Sequence, residues 1–262
     1  MVHITCALTD KGDVRRVNQD SLLIKRAKIA GKNVTLACVC DGLGGLSKGE
    51  VASAIATDRL AYWFESELPS LFTPAETIDK TVLYDSIRKL IISIHRRIEE
   101  YSAANGFQSG TTLAGVLILG NRFITINVGD SRVYMMRRGA LHHLTKDQTF
   151  IQREIDLGNM TEEEAAMSPH RSKLLQCIGA GPEPTVSFAS QGTQVGDLFV
   201  ACSDGFHKKI SEDEIAVAYS PDRIEDAESL ERIGEGLIAM NRKRGETDNI
   251  TVVSVYLTEE GR

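Results

Sequence analysis

Aspartates stand next to glycine or asparagine at several places where this chain passes from an apolar run into a turn. Four lie at such strand edges and a fifth follows a polar loop; in chain order the five are Asp20 (after the loop), Asp41, Asp130, Asp204 and Asp248. Each one alone fits an ordinary turn. Together they predict a carboxylate cluster, because like charges that converge at sheet ends need cations to compensate them. Ligands that are all oxygen favour Mg²⁺ or Mn²⁺ over zinc, for which His or Cys would be expected.

The chemistry open to such a cluster is transfer of a phosphoryl group to water. Two divalent ions roughly 3.5–4 Å apart can generate hydroxide from a bridging water and hold a phosphoryl group during in-line attack. Arg15 lies in the polar segment before Asp20, and its planar guanidinium could hold two phosphate oxygens. The other interpretation of this segment is a solvated loop, which any such charged run fits.

The run 39–54, VCDGLGGLSKGEVASA, joins a predicted buried strand to a predicted helix. Its glycines let the backbone turn sharply and approach a ligand closely, so that Asp41 and a freed backbone carbonyl could bind a metal ion. An ordinary strand–turn–helix connection fits the same run equally well. The run is not a dinucleotide fingerprint or a Walker loop, since neither G-x-G-x-x-G nor G-K-[ST] occurs in it.

Apolar periodicity places these residues among two separated groups of strands, with helices between and after them. It predicts strands at 2–8, 22–24, 34–40, 110–119, 123–128, 133–136, 140–144, 185–189, 198–203 and 250–257. It predicts helices at about 50–67, 79–102 and 230–244, and capping boxes at Thr161-x-x-Glu164 and Ser211-x-x-Glu214 open two shorter ones. Short strands joined by turns imply antiparallel meanders. The irregular segment 146–181 is either a mobile flap or a surface excursion with no role.

Composition excludes several classes of function. The 262 residues carry a net charge of −6, which argues against a nucleic-acid-binding surface. No apolar run reaches membrane-spanning length, and the N-terminus lacks the basic start and apolar core of a signal peptide. The five cysteines are scattered without a C-x-x-C pair, which suggests neither zinc nor a disulfide framework. We therefore expect a single cytoplasmic domain over residues 1–262.

Seven motifs occur in the order seen in bacterial metal-dependent Ser/Thr protein phosphatases, the PPM family or phosphatase type 2C. They are TDKGDVRRVNQDS, VCDGLGGLSKGEVAS, SGTTLAG, NVGDSRVY, LTKDQT, CSDGF and TDNITVV. They run from about residue 9 to residue 255. Any one of them would be weak evidence, but seven in order make the resemblance specific.

The resemblance implies an α+β fold, a four-layer α-β-β-α sandwich in which helix pairs flank two packed antiparallel sheets and the metals lie at one end. By similarity Asp41 would bridge two metal ions, and the carbonyl of Gly42 would bind the second. Asp204 and Asp248 would complete the ligands of the first. The segment at about 146–181 falls where the family has its flap.

The same resemblance assigns three further roles. Arg15 would bind the substrate phosphate, and Asp20 would act mostly through water bound to metal. Asp130 would share a third, weaker metal ion with Asp204. The implied cofactors are thus two Mn²⁺ or Mg²⁺ ions for each active site and this additional one.

The sequence departs from the family pattern at a few positions. Gln19 stands where the family usually has Glu, which predicts an altered metal affinity. Leu46 and Gln148 each occupy a position that is often His. Leu43 lies where animal members have a His proposed as general acid, so water would protonate the leaving group.

The implied activity is hydrolysis of phosphoserine and phosphothreonine by metal-activated water, without a phospho-enzyme intermediate. The alternative is a catalytically weak phosphoprotein-binding regulator, a pseudophosphatase with the same fold, which Gln19 motivates. The implied partners are phosphorylated targets of a Ser/Thr kinase and the kinase itself, with no nucleic acid and no membrane. We expect a monomer.

Overall fold

The computed structural model describes residues 1–43, 48–73, 75, 77–170 and 172–259, apart from the side chain of residue 166. Leu46 and the glycines at 44 and 45, which the sequence analysis singles out, therefore lie outside the described residues. The described strands are β1 (Val2–Asp10), β2 (Asp20–Ile29), β3 (Lys32–Asp41), β4 (Leu113–Leu119), β5 (Arg122–Val128), β6 (Arg132–Arg137), β7 (Ala140–His143), β8 (Ser187–Gly192), β9 (Leu198–Cys202) and β10 (Ile250–Thr258).

The strands form two five-stranded antiparallel sheets. One has the order β2-β3-β4-β5-β8 and the other the order β1-β10-β9-β6-β7. The alternation of apolar residues along each strand divides them between a face that meets the other sheet and a face that meets helices. The predicted antiparallel meanders are confirmed.

Helices cover the outer faces of both sheets. The described α-helices are α1 (Gly49–Tyr62), α2 (Lys80–Ala104), α3 (Phe150–Asp156), α4 (Glu162–Met167), α5 (Asp204–His207), α6 (Glu212–Ala218) and α7 (Ala227–Lys243), of which α3 and α4 lie in the segment 146–181 and add no described residue to the two outer cores. Leu60 of α1 and Ile91 of α2 are buried against the β3 side of the first sheet. Ile215 of α6 and Leu237 of α7 are buried against the second.

A third apolar core lies between the sheets. It joins Val39 and Val116 of the first sheet to Phe199 and Val253 of the second. The layers therefore run helix, sheet, sheet, helix, so the predicted four-layer α+β sandwich is confirmed.

Several predicted boundaries were wrong. The strand predicted at 22–24 is the ten-residue β2, Asp20–Ile29, because pairing with β3 extends it through the polar residues 25–28. The helix predicted at about 50–67 ends at Tyr62 and continues as a π-helical turn, Trp63–Glu67. The helix α5 was not predicted, since four residues show no periodicity.

Across the described residues, no helix combines the length and the apolar character needed to cross a bilayer.

Candidate metal centre

Antiparallel pairing brings Asp20 and Asp41 together at one end of the first sheet. Asp20 is the first residue of β2, Asp41 is the last residue of β3, and the two are direct cross-strand partners. The chain between them is a hairpin, so residues 21 positions apart in sequence are fixed side by side at its open end. This contact follows from strand register alone.

The second sheet brings its own three aspartates to one end. Asp204 follows β9, Asp248 precedes β10, and these strands are antiparallel neighbours with Cys202 opposite Val252. Asp130 precedes β6, whose first residue is also opposite Cys202. The three aspartates therefore share the same end of their sheet.

Thr112 joins these two sheet ends. Its hydroxyl accepts a hydrogen bond from the backbone N–H of Asp41 (3.0 Å) and lies 2.7 Å from the hydroxyl of Ser131, the residue after Asp130. Its backbone N–H donates to the carbonyl of Asp41 (2.8 Å). Thr112 thus sets the position of Asp41 relative to Asp130.

The carboxylates interact electrostatically as one cluster. Burial raises the pKa of Asp41 well above its ordinary value, and the charges of Asp20, Asp204, Asp130 and Asp248 raise it further. Burial also raises the pKa of Asp20 to about 7, against the effect of hydrogen bonds with Thr251 and Ser203. It likewise raises the pKa of Asp130 to about 7, with a contribution from Asp204. Close, buried carboxylates of this kind are costly unless cations compensate them.

Arg15 lies at the exposed edge of the cluster. Its Nη2 donates to Oδ2 of Asp248 at 2.8 Å, and its side chain is 38% exposed. The hydrogen bond with Asp248 raises the pKa of Arg15 further above its usual value, with smaller contributions from Asp41 and Asp204. The guanidinium is therefore charged, next to the carboxylates, and open to a ligand from solvent.

Lys208 supplies a second cation that sequence reasoning missed. Its ammonium forms an ion pair with the carboxylate of Asp204, four residues earlier. Burial lowers the pKa of Lys208, but the charges of Asp204 and Asp130 outweigh it and raise the pKa overall. The i,i+4 spacing of the two residues was a signal that could have found the pair.

A cleft of about 900 Å³ opens in front of the cluster. Arg15, Asp130, Lys208 and Asp248 line it from the cluster side. Part of the segment 146–181 lines it from the other side, through α3 residues that include Gln152 and Ile155.

Comparison with known proteins places this site in a family. The family model described as Protein phosphatase 2C matches residues 13–253. The chain belongs to the protein phosphatase 2C family. The match spans all seven motifs apart from the first residues of the earliest one, so the recognition from sequence is confirmed.

Relatives in this family include Ser/Thr phosphatases from several bacteria. The chain is 34% identical over 248 residues to the Ser/Thr protein phosphatase PstP of Mycobacterium tuberculosis, covering 94% of this chain but only 43% of PstP. It thus spans less than half the length of that relative. The S. agalactiae Ser/Thr phosphatase superposes with a TM-score of 0.83 at 30% identity, covering 98% of this chain and 100% of that one.

A solved structure of the PstP catalytic domain contains two manganese ions. It superposes on this 2C-family chain with a TM-score of 0.76 at 29% identity, covering 98% of this chain and 99% of that one. This neighbour supports metal cofactors for the family. Whether the present chain can hold such ions depends on its own residues.

The residues of the present 2C-family site fit divalent metal ions. Two carboxylate oxygens, Oδ2 of Asp20 and Oδ1 of Asp204, are buried without a hydrogen-bond partner. Such atoms are expensive unless a cation meets them. In the part of the chain that is described, no three His, Cys, Asp or Glu side chains already converge on one point as a closed ligand set. Asp248 and Asp204 are instead paired with Arg15 and Lys208.

Gly42 lies in a turn that leaves no room for a side chain. A Cβ atom on Gly42 would lie 2.4 Å from the carbonyl oxygen of Gly49 and 2.5 Å from that of Gln19. The Gly42 backbone N–H also donates to the Gln19 carbonyl at 3.1 Å. This close approach holds the turn after Asp41 against the start of α1.

The predicted departures from the family pattern have defined contacts. Gln19 donates through Nε2 to Oε2 of Glu50 at 3.2 Å, so a neighbouring carboxylate is present where Gln19 lacks one. Gln148 accepts from the backbone N–H of Gly129 (2.8 Å) and donates to Ser187 (2.9 Å). Gln148 therefore supports the turn that carries Asp130. The backbone N–H of Leu43 donates to the carbonyl of Gly110 at 2.9 Å.

Asn249 holds the Arg15 loop in place. Its Nδ2 donates to the carbonyls of Lys11 (2.8 Å) and Val17 (3.2 Å), and its Oδ1 accepts from the backbone N–H of Gln19 (2.9 Å). These bonds attach the loop before β2 to the start of β10 across 230 to 238 residues of sequence. Its place directly after Asp248 in a recognised motif was the available sequence signal.

Proposed function

We propose that this protein hydrolyses phosphoserine and phosphothreonine in proteins, and that the reaction depends on divalent metal ions. The observation that carries the proposal is a cluster of five aspartates, linked electrostatically through Asp41, of which Asp130 and Asp248 line one cleft together with the partly exposed Arg15. Membership of the 2C family and its relatives named Ser/Thr phosphatases support the same activity.

We assign the ligands of two metal ions as the sequence analysis predicts them. Asp41 would bridge two ions, the Gly42 carbonyl would hold one, and Asp204 and Asp248 would hold the other. Asp20 would orient bound water, since its Oδ2 is buried without a partner. When bound, two Mn²⁺ or Mg²⁺ ions would supply an activated water and positive charge beside the phosphoryl group. The buried unpartnered oxygens support this assignment.

Arg15 would bind and orient the phosphate. One of its nitrogens donates to Asp248, so the remaining donors of the fork are available to phosphate oxygens that enter from the cleft. The same bond to Asp248 fixes the guanidinium beside the metal ligands. It would therefore place the phosphorus atom close to them, which supplies part of the rate through orientation.

The side-chain oxygen of the serine or threonine that leaves would take its proton from water. His207 lines the cleft, but burial lowers its pKa well below the ordinary value, so it is neutral near pH 7. Its Nε2–H donates a hydrogen bond to the backbone carbonyl of Asp130, with 3.4 Å between the nitrogen and the oxygen. We therefore give it no acid role.

The deciding experiment is hydrolysis of p-nitrophenyl phosphate and of a phosphothreonine peptide by the purified protein. Activity should be absent in EDTA and should return with Mn²⁺ or Mg²⁺. Asp248→Asn should lose turnover and keep its circular dichroism spectrum, whereas the exposed Asp58→Asn serves as a matched control with full activity. Activity that EDTA leaves intact, or an Asp248→Asn protein as active as wild type, would refute the metal assignment.

The catalytically weak regulator is the second candidate, and Gln19 is the observation that favours it. Gln19→Glu separates the two. A very large gain in rate would favour the regulator, and a small change would favour a working enzyme. The substitution also replaces the bond to Glu50 by two facing carboxylates, so the rate must be compared at saturating Mn²⁺.

The finer assignments are part of the same proposal. Substrates would be the phosphorylated targets of a Ser/Thr kinase and the kinase itself. The segment 146–181 would act as a flap that influences substrate choice, which its place along the cleft supports. A single monomeric domain and a cytoplasmic location stay predictions.

A further inference from the structure

Lys208 places a cation inside the carboxylate cluster from a position on the protein surface. Its side chain is 39% exposed, whereas that of its partner Asp204 is 12% exposed. The stem therefore runs from solvent towards a carboxylate that is largely buried. Long lysine side chains commonly keep the ammonium in water, so an ammonium held against a largely buried carboxylate needs a reason.

The reason is the charge that surrounds the ammonium. Asp204, Asp130 and Asp41 all stabilise its charged form, and Lys208 in turn is the cation among the main charges acting on Asp130. Arg15 and Arg132 also line the cleft, and both are already engaged. Arg15 donates to Asp248, and Arg132 is paired with Asp147 at 2.7 Å.

We propose that Lys208 is a built-in counter-ion for Asp204 and Asp130, and that its ammonium excludes a third divalent metal ion from the space between them, while Asp204 stays a ligand of one of the two other ions. This inference rests on the proposed metal-dependent function. It differs from the prediction made by resemblance, in which Asp130 and Asp204 share a third metal ion.

Charge balance supports this division of the cluster. Arg15 and Lys208 neutralise two of the five carboxylates and leave three negative charges. Two divalent ions supply four positive charges, which already exceed what remains. A third divalent ion beside the Lys208 ammonium would add repulsion without a matching carboxylate, whereas Lys208→Met removes both that repulsion and the cation that faces Asp204 and Asp130.

The test counts the Mn²⁺ ions bound per protein by equilibrium dialysis with metal analysis. Electron paramagnetic resonance of free Mn²⁺ then gives the affinity of each bound ion. Lys208→Met, which keeps the stem and removes the charge, should bind one more Mn²⁺ than wild type, or bind its weakest Mn²⁺ at least tenfold more tightly. Lys209→Met, the exposed neighbour with the same charge change, should bind as wild type does. Asp130→Asn added to Lys208→Met should remove the extra ion.

Equal Mn²⁺ counts and affinities for wild type and Lys208→Met would overturn the proposal. If Lys208→Met does not fold, the single variant Asp130→Asn decides. The proposal expects Asp130→Asn to bind as many Mn²⁺ ions as wild type. A third metal ion in wild type would instead make Asp130→Asn bind one ion fewer. Wild type that binds no Mn²⁺ at all would overturn the proposed function as well. Wild type that binds Mn²⁺ and hydrolyses phosphopeptide, with Lys208→Met unchanged, would overturn this inference alone.

Discussion

Asp20 carries the clearest energetic signature of the site. Its carboxyl has a pKa of about 7 because it is buried, and one of its oxygens has no hydrogen-bond partner. A carboxylate held in this way destabilises the fold whenever it is ionised and no metal compensates it. Asp20→Asn removes the charge and preserves the shape, so it should stabilise the protein in EDTA while it impairs hydrolysis.

The size of the effect follows from proton linkage. Asp20 titrates near its ordinary value in the unfolded chain and at about 7 in the folded protein, so stability is greatest at low pH and is lost as the pH rises through about 7. The full difference between the folded and unfolded pKa of Asp20 corresponds to about 4 kcal/mol of unfolding free energy. The stability gap between Asp20→Asn and wild type should therefore widen by about 3 kcal/mol from pH 5 to pH 8.

Urea unfolding in EDTA at pH 5 and pH 8 measures this gap. The exposed Asp58→Asn controls for a general change in charge and should track wild type at both pH values. Adding Mn²⁺ at about 100 times its dissociation constant should restore about 2.7 kcal/mol to wild type and less to Asp20→Asn. A variant that is less stable than wild type at pH 8 in EDTA, or a gap that does not change with pH, would refute the reasoning.

Other predictions concern the residues around the cluster. Arg15→Lys should lower kcat/KM for a phosphopeptide about 10–100-fold by losing the guanidinium fork while bound Mn²⁺ stays equal; unchanged kinetics would contradict phosphate binding. Asn249→Ala should cost about 1–3 kcal/mol in urea unfolding and raise KM, because its loop bonds are lost; wild-type stability would contradict this role. The Cβ of Gly236→Ala on α7 would lie in open space, so this substitution should raise the free energy of unfolding by about 0.5–1 kcal/mol. Gly234→Ala would place a Cβ 2.5 Å from Cδ1 of the half-buried Leu8, which must move, so it should be less stable than Gly236→Ala; equal thermal midpoints for the two variants would count against this packing.

Local features of this protein were predictable from the sequence because short-range hydrogen bonds decide them. The capping boxes at Thr161–Glu164 and Ser211–Glu214 are both present, since a side chain three residues away satisfies the free N–H groups of each helix start. Strand alternation and seven ordered motifs indicated the α+β sandwich. Strand ends were less predictable: the strand expected at 185–189 is Ser187–Gly192, because its pairing with β5 decides where it begins.

The sequence by itself determined which residues could form the site: five aspartates and Arg15 at the edges of strands. Only the tertiary structure decided how their charges are paired. Arg15 meets Asp248 across 233 residues, and the Thr112 hydroxyl joins Asp41 to Ser131 across the two sheets. The pair of Asp204 and Lys208 was signalled only by its i,i+4 spacing, because the helix that begins at Asp204 has four residues and shows no periodicity. The contacts between the two sheets arise from their face-to-face packing, and no local pattern encodes the distance between them.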